Sequence, residues 1–145
     1  MDVKLREIDR STWLKCCNLK VASNQRGFVA PNTYSLAQAA YEPDTYPMGI
    51  FSDNELVGFL MWDFDGDEGV WEMCRLMVDE KHQGKGIGKA AVQKLLELVT
   101  NKIGPVLFYT SAEPENAEAI GLYEKLGFQK TGKVIGGEVV LAKQL

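Results

Sequence analysis

The sequence predicts an α/β domain in which helices cover a mixed sheet. Three observations predict it. Runs of alternating or continuous apolar residues fill the first half, from Val3 to Val78. After Gly86 the apolar spacing changes to a helical one, with Ile87, Ala91, Leu95 and Leu98 on one stripe. Strand and helix patterns then interleave to the end, which calls for a sheet with helices packed on it. The elements follow in order. Val3 to Ile8 alternates and reads as a strand, and Ser11 and Thr12 can cap a helix reaching about Leu19. Gly27 to Asn32 is a loop holding Pro31, and a short helix runs from Ser35 to Tyr41, with Pro43 beyond its end. Pro47 to Phe51 is a strand, Ser52-Asp53-Asn54 a turn, and Leu56 to Phe64 a second strand closed by the hairpin signal Asp65-Gly66-Asp67. Val70 to Val78 is the next strand. A long helix covers Gly86 to Asn101, widened by Val92, Leu96 and Val99. Pro105 to Tyr109 is a short buried strand. Asn116 to Leu126 is a helix that Gly127 can stop, and Phe128 to Ala142 is a terminal hairpin around Gly136-Gly137. No linker, repeat or low-complexity tract divides this order, so one domain is expected over 1–145.

Composition narrows the function. The chain of 145 residues is 46% hydrophobic, enough for a core of its own. No run of 18 apolar residues is present, so no membrane span is expected. The first residues carry no apolar signal core and read as mature protein. Cys16, Cys17 and Cys74 form no disulfide framework, and with a single histidine, His82, no zinc spacing arises. Reduced thiols in a cytoplasmic protein, with no metal, are the expectation. The net charge is −4. From Gly27 to Cys74 there is no Lys or Arg but nine acids, while the remaining segments hold 16 basic and 11 acidic residues. One part of the molecule can attract a cation while another binds an anion. No basic stripe suggests a nucleic-acid partner.

The anion site is readable in His82-Gln83-Gly84-Lys85-Gly86-Ile87-Gly88-Lys89, which joins the fourth strand to the longest helix. Three glycines in five residues leave backbone N–H groups free to meet one anion. The helix N-terminus adds its positive dipole end, and Lys85 and Lys89 add charge. A pyrophosphate suits the assembly. The turn lacks the Gly-Lys-Ser/Thr of P-loop nucleotide sites, and no acid follows at the position dinucleotide-binding turns require.

Gln83-Gly84-Lys85-Gly86-Ile87-Gly88 resembles the Arg/Gln-x-x-Gly-x-Gly/Ala coenzyme A loop of the GNAT superfamily of N-acetyltransferases. The run from Asn116 through Ala119, Leu122 and Tyr123 to Gly127-Phe128 is similar to that family's Asn-x-x-Ala-x-x-Leu-Tyr-x-x-x-Gly-Phe helix. Within the family the chain most resembles bacterial diamine (spermine/spermidine) acetyltransferases, through Val21 to Asn32, Tyr46 to Phe51 and Asp79 to Gly86. The resemblance implies the acyl-coenzyme A N-acyltransferase fold, a mixed sheet of six or seven strands whose strands four and five splay apart around the pantetheine arm. It implies acetyl-coenzyme A as cosubstrate, held by backbone groups of Leu76, Met77 and Val78 and by Gln83, Gly84, Lys85, Gly86, Ile87, Gly88 and Lys89. It also places the side chains of Asn116 and Tyr123 at the thioester end. Direct transfer without an acyl-enzyme and a homodimer are further implications.

The chemistry assigns roles. A polyamine arrives as an ammonium and must lose a proton before attack. Glu72, between Trp71 and Met73 on the strand leading to the turn, is the first candidate base, or else a solvent-facing strand residue. Cys74 and Arg75 stand nearer the turn, where some relatives carry acids. Tyr123 is positioned by the motif to protonate the departing thiolate. Asn116 either caps its helix or bonds the cofactor arm. No motif pairs a cysteine with a histidine for covalent catalysis. Trp13, Trp62, Trp71, Phe59 and Phe64 are expected in the core. The acceptor pocket is expected around the first two helices, with Glu42 and Asp44 for charge and Asn24, Gln25, Tyr34 and Tyr41 for hydrogen bonds. The reading is an N-acetyltransferase for a small cationic amine such as spermidine or spermine. Its alternatives are an amino acid, aminoglycoside or protein amino acceptor, or a coenzyme A-binding regulator without turnover.

Overall fold

A computed structural model describes all 145 residues. Its order is β1 (Val3–Glu7), α1 (Trp13–Asn18), α2 (Asn32–Tyr41), β2 (Thr45–Ser52), β3 (Glu55–Asp65), β4 (Val70–Val78), α3 (Ile87–Lys102), β5 (Leu107–Ala112), α4 (Ala117–Lys125), β6 (Gln129–Ile135) and β7 (Glu138–Gln144), with 3-10 turns at Ser23–Gln25 and Glu80–His82. Seven strands form one sheet in the order β1-β2-β3-β4-β5-β7-β6. All neighbours are antiparallel except β4 and β5. The expected α/β architecture is the one observed.

Two apolar clusters hold the layers together. On one face, Ile87, Ala91, Val92, Leu95 and Val99 of α3 pack with Ile50, Leu60 and Phe108 of the sheet, and Ile120 and Tyr123 of α4 complete that side. On the other, Cys16 of α1 joins Phe51, Leu56, Phe59, Met61 and Met77, with Leu36 and Ala39 of α2 against them. Trp62 and Phe59 are buried as expected. Trp13 and Phe64 are not, at 50% and 37% exposure.

Several boundaries differ from expectation for local reasons. Thr12 occupies the N-cap of α1 but makes no capping hydrogen bond. The Asp9 carboxylate instead accepts from Ser11 N, Ser11 Oγ and Thr12 Oγ1, tightening the turn before the helix. Helix α2 starts at Asn32 rather than Ser35, because Pro31 is its cap residue and Pro31 O already accepts from Ser35 N. Strand β5 starts at Leu107, since Val106 N turns back to Gly104 O.

One irregularity positions the site. Met61 faces Arg75 across β3 and β4, yet Trp62 faces Met73, so Cys74 is an extra residue in β4. Such a bulge bends its strand. The parallel pairing of β4 with β5 is confined to Trp71–Met73 against Phe108–Thr110 and ends just before Cys74. Beyond it the two strands diverge, which is the splay expected of strands four and five.

Candidate active site

The fork between β4 and β5 opens into a cavity of about 890 Å³. Its walls come from four directions. The outer half of β4 supplies Met73 to Val78, and from Cys74 onward its β5-facing backbone groups have no strand partner. The glycine turn and start of α3 form one end, α4 forms a side, and Gly27 to Ala30 close over the other end.

Residues read from the sequence as cofactor contacts converge here. Leu76, Met77, Val78, Gln83, Gly84, Gly86, Ile87, Gly88, Lys89 and Asn116 all line the cavity. Lys85 does not, and is exposed on the outside of the turn. Gly84 and Gly86 have φ of +78° and +80°, a conformation other residues adopt only with strain. A Cβ at either would meet no protein atom within 4 Å, so the space over the turn is open to a ligand. Gly86 is the N-cap of α3 and has no side chain to occupy the first-turn N–H groups. The Gln83 side chain points inward, donating to Gln25 Oε1 at 2.8 Å and to Val78 O at 2.9 Å. This bare turn, with unpaired strand backbone beside it, fits a pyrophosphate followed by an amide-bearing arm. Asn116 caps α4 through Oδ1, which accepts from Ala119 N at 3.3 Å, while the residue still faces the cavity.

Tyr123 lies at the inner end of the fork, 5% exposed. Burial pushes its phenol up to about 12, and the neighbouring Thr110 hydroxyl offsets part of the rise. The phenol therefore keeps its proton near neutral pH and can donate it. Thr110 Oγ1 itself donates to Met73 O at 3.1 Å across the last rung of the fork.

Glu72 is not in the cavity wall, although its neighbour Met73 is. Its side chain belongs to the sheet face that carries α2, directly across from Asp63 on β3. Loss of water on burial, then the Asp63 carboxyl, push Glu72 up to about 8, and the Arg75 guanidinium opposes this. Asp63 is also raised, mainly by burial. Arg75 is tied to α2 by a 3.0 Å hydrogen bond from Nη2 to Gln38 Oε1 and lies 6.0 Å from the Tyr34 ring. Burial pushes the thiols of Cys16 and Cys74 up to about 12, so neither is a nucleophilic thiolate at neutral pH.

Of the residues expected to bind the acceptor, Gln25 lines the cavity, whereas Asn24, Tyr34, Tyr41, Glu42 and Asp44 do not. For Tyr41, Glu42 and Asp44 the reason is geometric. The cavity takes the loop before α2, while Tyr41, Glu42 and Asp44 follow at its C-terminal end, roughly 15 Å further along a ten-residue helix. The sequence reading missed Thr110, Ser111, Glu113 and Glu138, all of which line the cavity. Ser111 Oγ donates to Glu138 Oε1 at 2.7 Å. This group depends on β7 entering the sheet between β5 and β6, and no local signal in the sequence marks that insertion.

Comparison with known proteins matches residues 6–128 to the Acetyltransferase (GNAT) family. A spermine/spermidine N(1)-acetyltransferase of Bacillus subtilis (strain 168) is 29% identical over 153 aligned residues, covering 100% of both chains. Among solved structures, an aminoglycoside acetyltransferase in complex with coenzyme A superposes with a TM-score of 0.80 at 22% identity, over 99% of this chain and 95% of that one. The spermidine N-acetyltransferase of Vibrio cholerae in complex with coenzyme A and spermine gives 0.75 at 18%, over 97% and 92%.

Proposed function

The chain belongs to the acetyltransferase (GNAT) family, and on that premise we propose that it transfers an acetyl group from acetyl-coenzyme A directly to a primary amine of a polyamine such as spermidine or spermine. The observation that carries this reading is the single cavity joining the bare glycine turn, the unpaired edge of β4 and the buried phenol of Tyr123. Pyrophosphate at the turn and the arm along β4 would bring the thioester to the fork, beside Tyr123. The amine nitrogen then attacks the thioester carbonyl, the carbon–sulfur bond breaks, and the sulfur takes the Tyr123 proton. The proton lost from nitrogen passes to Glu72, whose raised affinity for protons suits a base working near neutral pH. Since Glu72 stands behind the cavity wall, that proton must reach it through water.

The polyamine acceptor is supported by the relative from Bacillus subtilis, which aligns over the whole of both chains. An aminoglycoside acceptor has support of a different kind: an aminoglycoside N(6')-acetyltransferase of Klebsiella pneumoniae is 36% identical over 73 residues, half of this chain. One assay separates the two. Purified protein with acetyl-coenzyme A is offered spermidine, spermine, kanamycin, lysine and a lysine peptide, and free thiol is followed. Release highest with spermidine or spermine is expected. Faster release with kanamycin would replace the acceptor, and release with none would remove the enzymatic reading.

A further inference from the structure

The cavity contains a carboxylate to which the chemistry above gives no task. Glu138 opens β7 directly after the Gly136-Gly137 turn and lines the same cavity as Tyr123. Pairing of Val139 with Ala112 brings it beside β5, and there Ser111 Oγ donates to its Oε1 at 2.7 Å. Glu138 is half-buried, its backbone paired with Ile135 of β6 and its carboxylate held by Ser111 of β5. Two other acids line the cavity. Glu118 is exposed in the first turn of α4, and Glu113 has no side-chain hydrogen bond to fix it. Glu138 is in neither of the molecule's salt bridges, Lys4–Asp2 and His82–Glu55, so no lysine or arginine is in direct contact with its carboxylate, although Arg75, Lys89 and Lys125 line other parts of the cavity. Its negative charge also reaches the phenol, adding to the rise at Tyr123.

A fixed, half-buried carboxylate with no ion-pair partner, facing a ligand cavity, asks for a cation from the ligand. The attacking nitrogen is not that cation. It must be neutral to react, and the reading above gives its proton to Glu72. The geometry points to Glu138 as the binding site for a second ammonium group of the acceptor, the one that stays charged while its neighbour is acetylated. Glu138 thereby selects amines carrying two or more positive charges over monoamines. The assignment rests on the reading of the cavity as an amine acetyltransferase site.

The test compares 1,5-diaminopentane with pentylamine, which differ by one ammonium, in the parent, Glu138→Gln, Glu138→Asp and Ser111→Ala proteins. Loss of one charge-assisted hydrogen bond should raise KM for the diamine about 10- to 100-fold in Glu138→Gln. KM for pentylamine and for acetyl-coenzyme A should stay within about twofold. Ser111→Ala, which frees the carboxylate without removing it, should raise the diamine KM about 2- to 10-fold. Glu138→Asp keeps the charge, so it should retain more of the diamine preference than Gln, and it remains informative if the Gln variant does not fold. An unchanged ratio of kcat/KM between the two amines in both Glu138 variants overturns the assignment while leaving the acetyltransferase standing. An equal loss on both amines overturns it as well. A parent that releases thiol with no amine overturns the acetyltransferase reading and this assignment together.

Discussion

Replacing Glu72 by Gln should make the protein more stable at alkaline pH while slowing it as a catalyst. In the folded chain burial, then Asp63, push this carboxyl from 4.5 up to about 8. An unfolded chain releases the proton near the ordinary value, whereas the folded chain holds it until about 8. Between these pH values the unfolded state binds fewer protons, so stability falls as pH rises through the window and levels off above it. At about 1.4 kcal/mol per tenfold step, the gap between 4.5 and about 8 corresponds to roughly 5 kcal/mol at most. The side chain is partly exposed and Asp63 shares the proton, which brings the expected loss to on the order of 2 to 3 kcal/mol. Gln cannot ionise and should remove the part of this slope that Glu72 contributes, leaving that of Asp63. Urea denaturation at pH 5.5, 7 and 8.5 measures it directly. The kinetic counterpart uses the same residue as a base. At pH 7 about a tenth of it is ionised, so kcat/KM should rise towards pH 8. Asp63→Asn removes the carboxylate that holds the proton on Glu72 and should move this limb to lower pH. Comparing parent and variant with one amine cancels the titration of the amine itself. Equal pH slopes of stability in parent and Glu72→Gln would refute the argument at its root. A kinetic limb that survives Glu72→Gln unchanged would remove Glu72 as the base.

Three other variants probe other parts of the structure. Tyr123→Phe keeps the ring in its packed place and loses the proton, so kcat should fall about 10- to 1000-fold with the KM for acetyl-coenzyme A little changed; matching rates at saturating substrates would make Tyr123 purely a packing residue. Gly86→Val forces a β-branched residue to a φ of +80° and fills the open space over the turn. It should cost about 1 to 2 kcal/mol of stability and weaken acetyl-coenzyme A more than about tenfold, and calorimetric titration of the folded variant showing parental affinity would count against a phosphate site there. Gly58→Ala places a Cβ 2.6 Å from the Met77 carbonyl oxygen, in the rung that pairs Gly58 with Val78. A loss of about 1 to 3 kcal/mol in urea denaturation is expected, and a neutral outcome would mean that β3 and β4 can shift apart at that rung.

What the sequence revealed was local. Strand β4 was delimited at both ends, and α3 almost so, because a long apolar period stops at the Asp79 and Gly86 boundaries. The glycine turn was legible because backbone conformation alone dictates its residues. Two kinds of information were not. The first is which end of an element meets the site: Glu42 and Asp44 looked like pocket acids from their neighbourhood in the chain, and only the direction of α2 removes them from the cavity. The second is non-local pairing. Glu138 and Ser111 lie 27 positions apart and meet because the last strand inserts beside β5. The bulge at Cys74 was equally hidden, since an extra residue in a strand appears only when the partner's register is known. Buried Asn32 is a further case. Its side chain donates to Cys16 O and ties α2 to α1, a contact no spacing rule marks.

The three rungs between β4 and β5 also have a mechanical meaning. They and the Thr110–Met73 bond join two plates, one of β1 to β4 and one of β5 to β7, along a short seam. The core under α3 spans both plates, holding Ile50 and Leu60 of one with Phe108 of the other, so the seam marks where the cleft begins. Thr110 is the clasp at the inner edge of that seam. Thr110 also lines the cleft and its hydroxyl bears on the Tyr123 phenol, so loosening it acts on the width of the fork and on the proposed acid together. Replacing Thr110 by Val should therefore raise the KM for acetyl-coenzyme A and lower kcat in steady-state kinetics, and parental values of both would leave this bond without a part in the cleft.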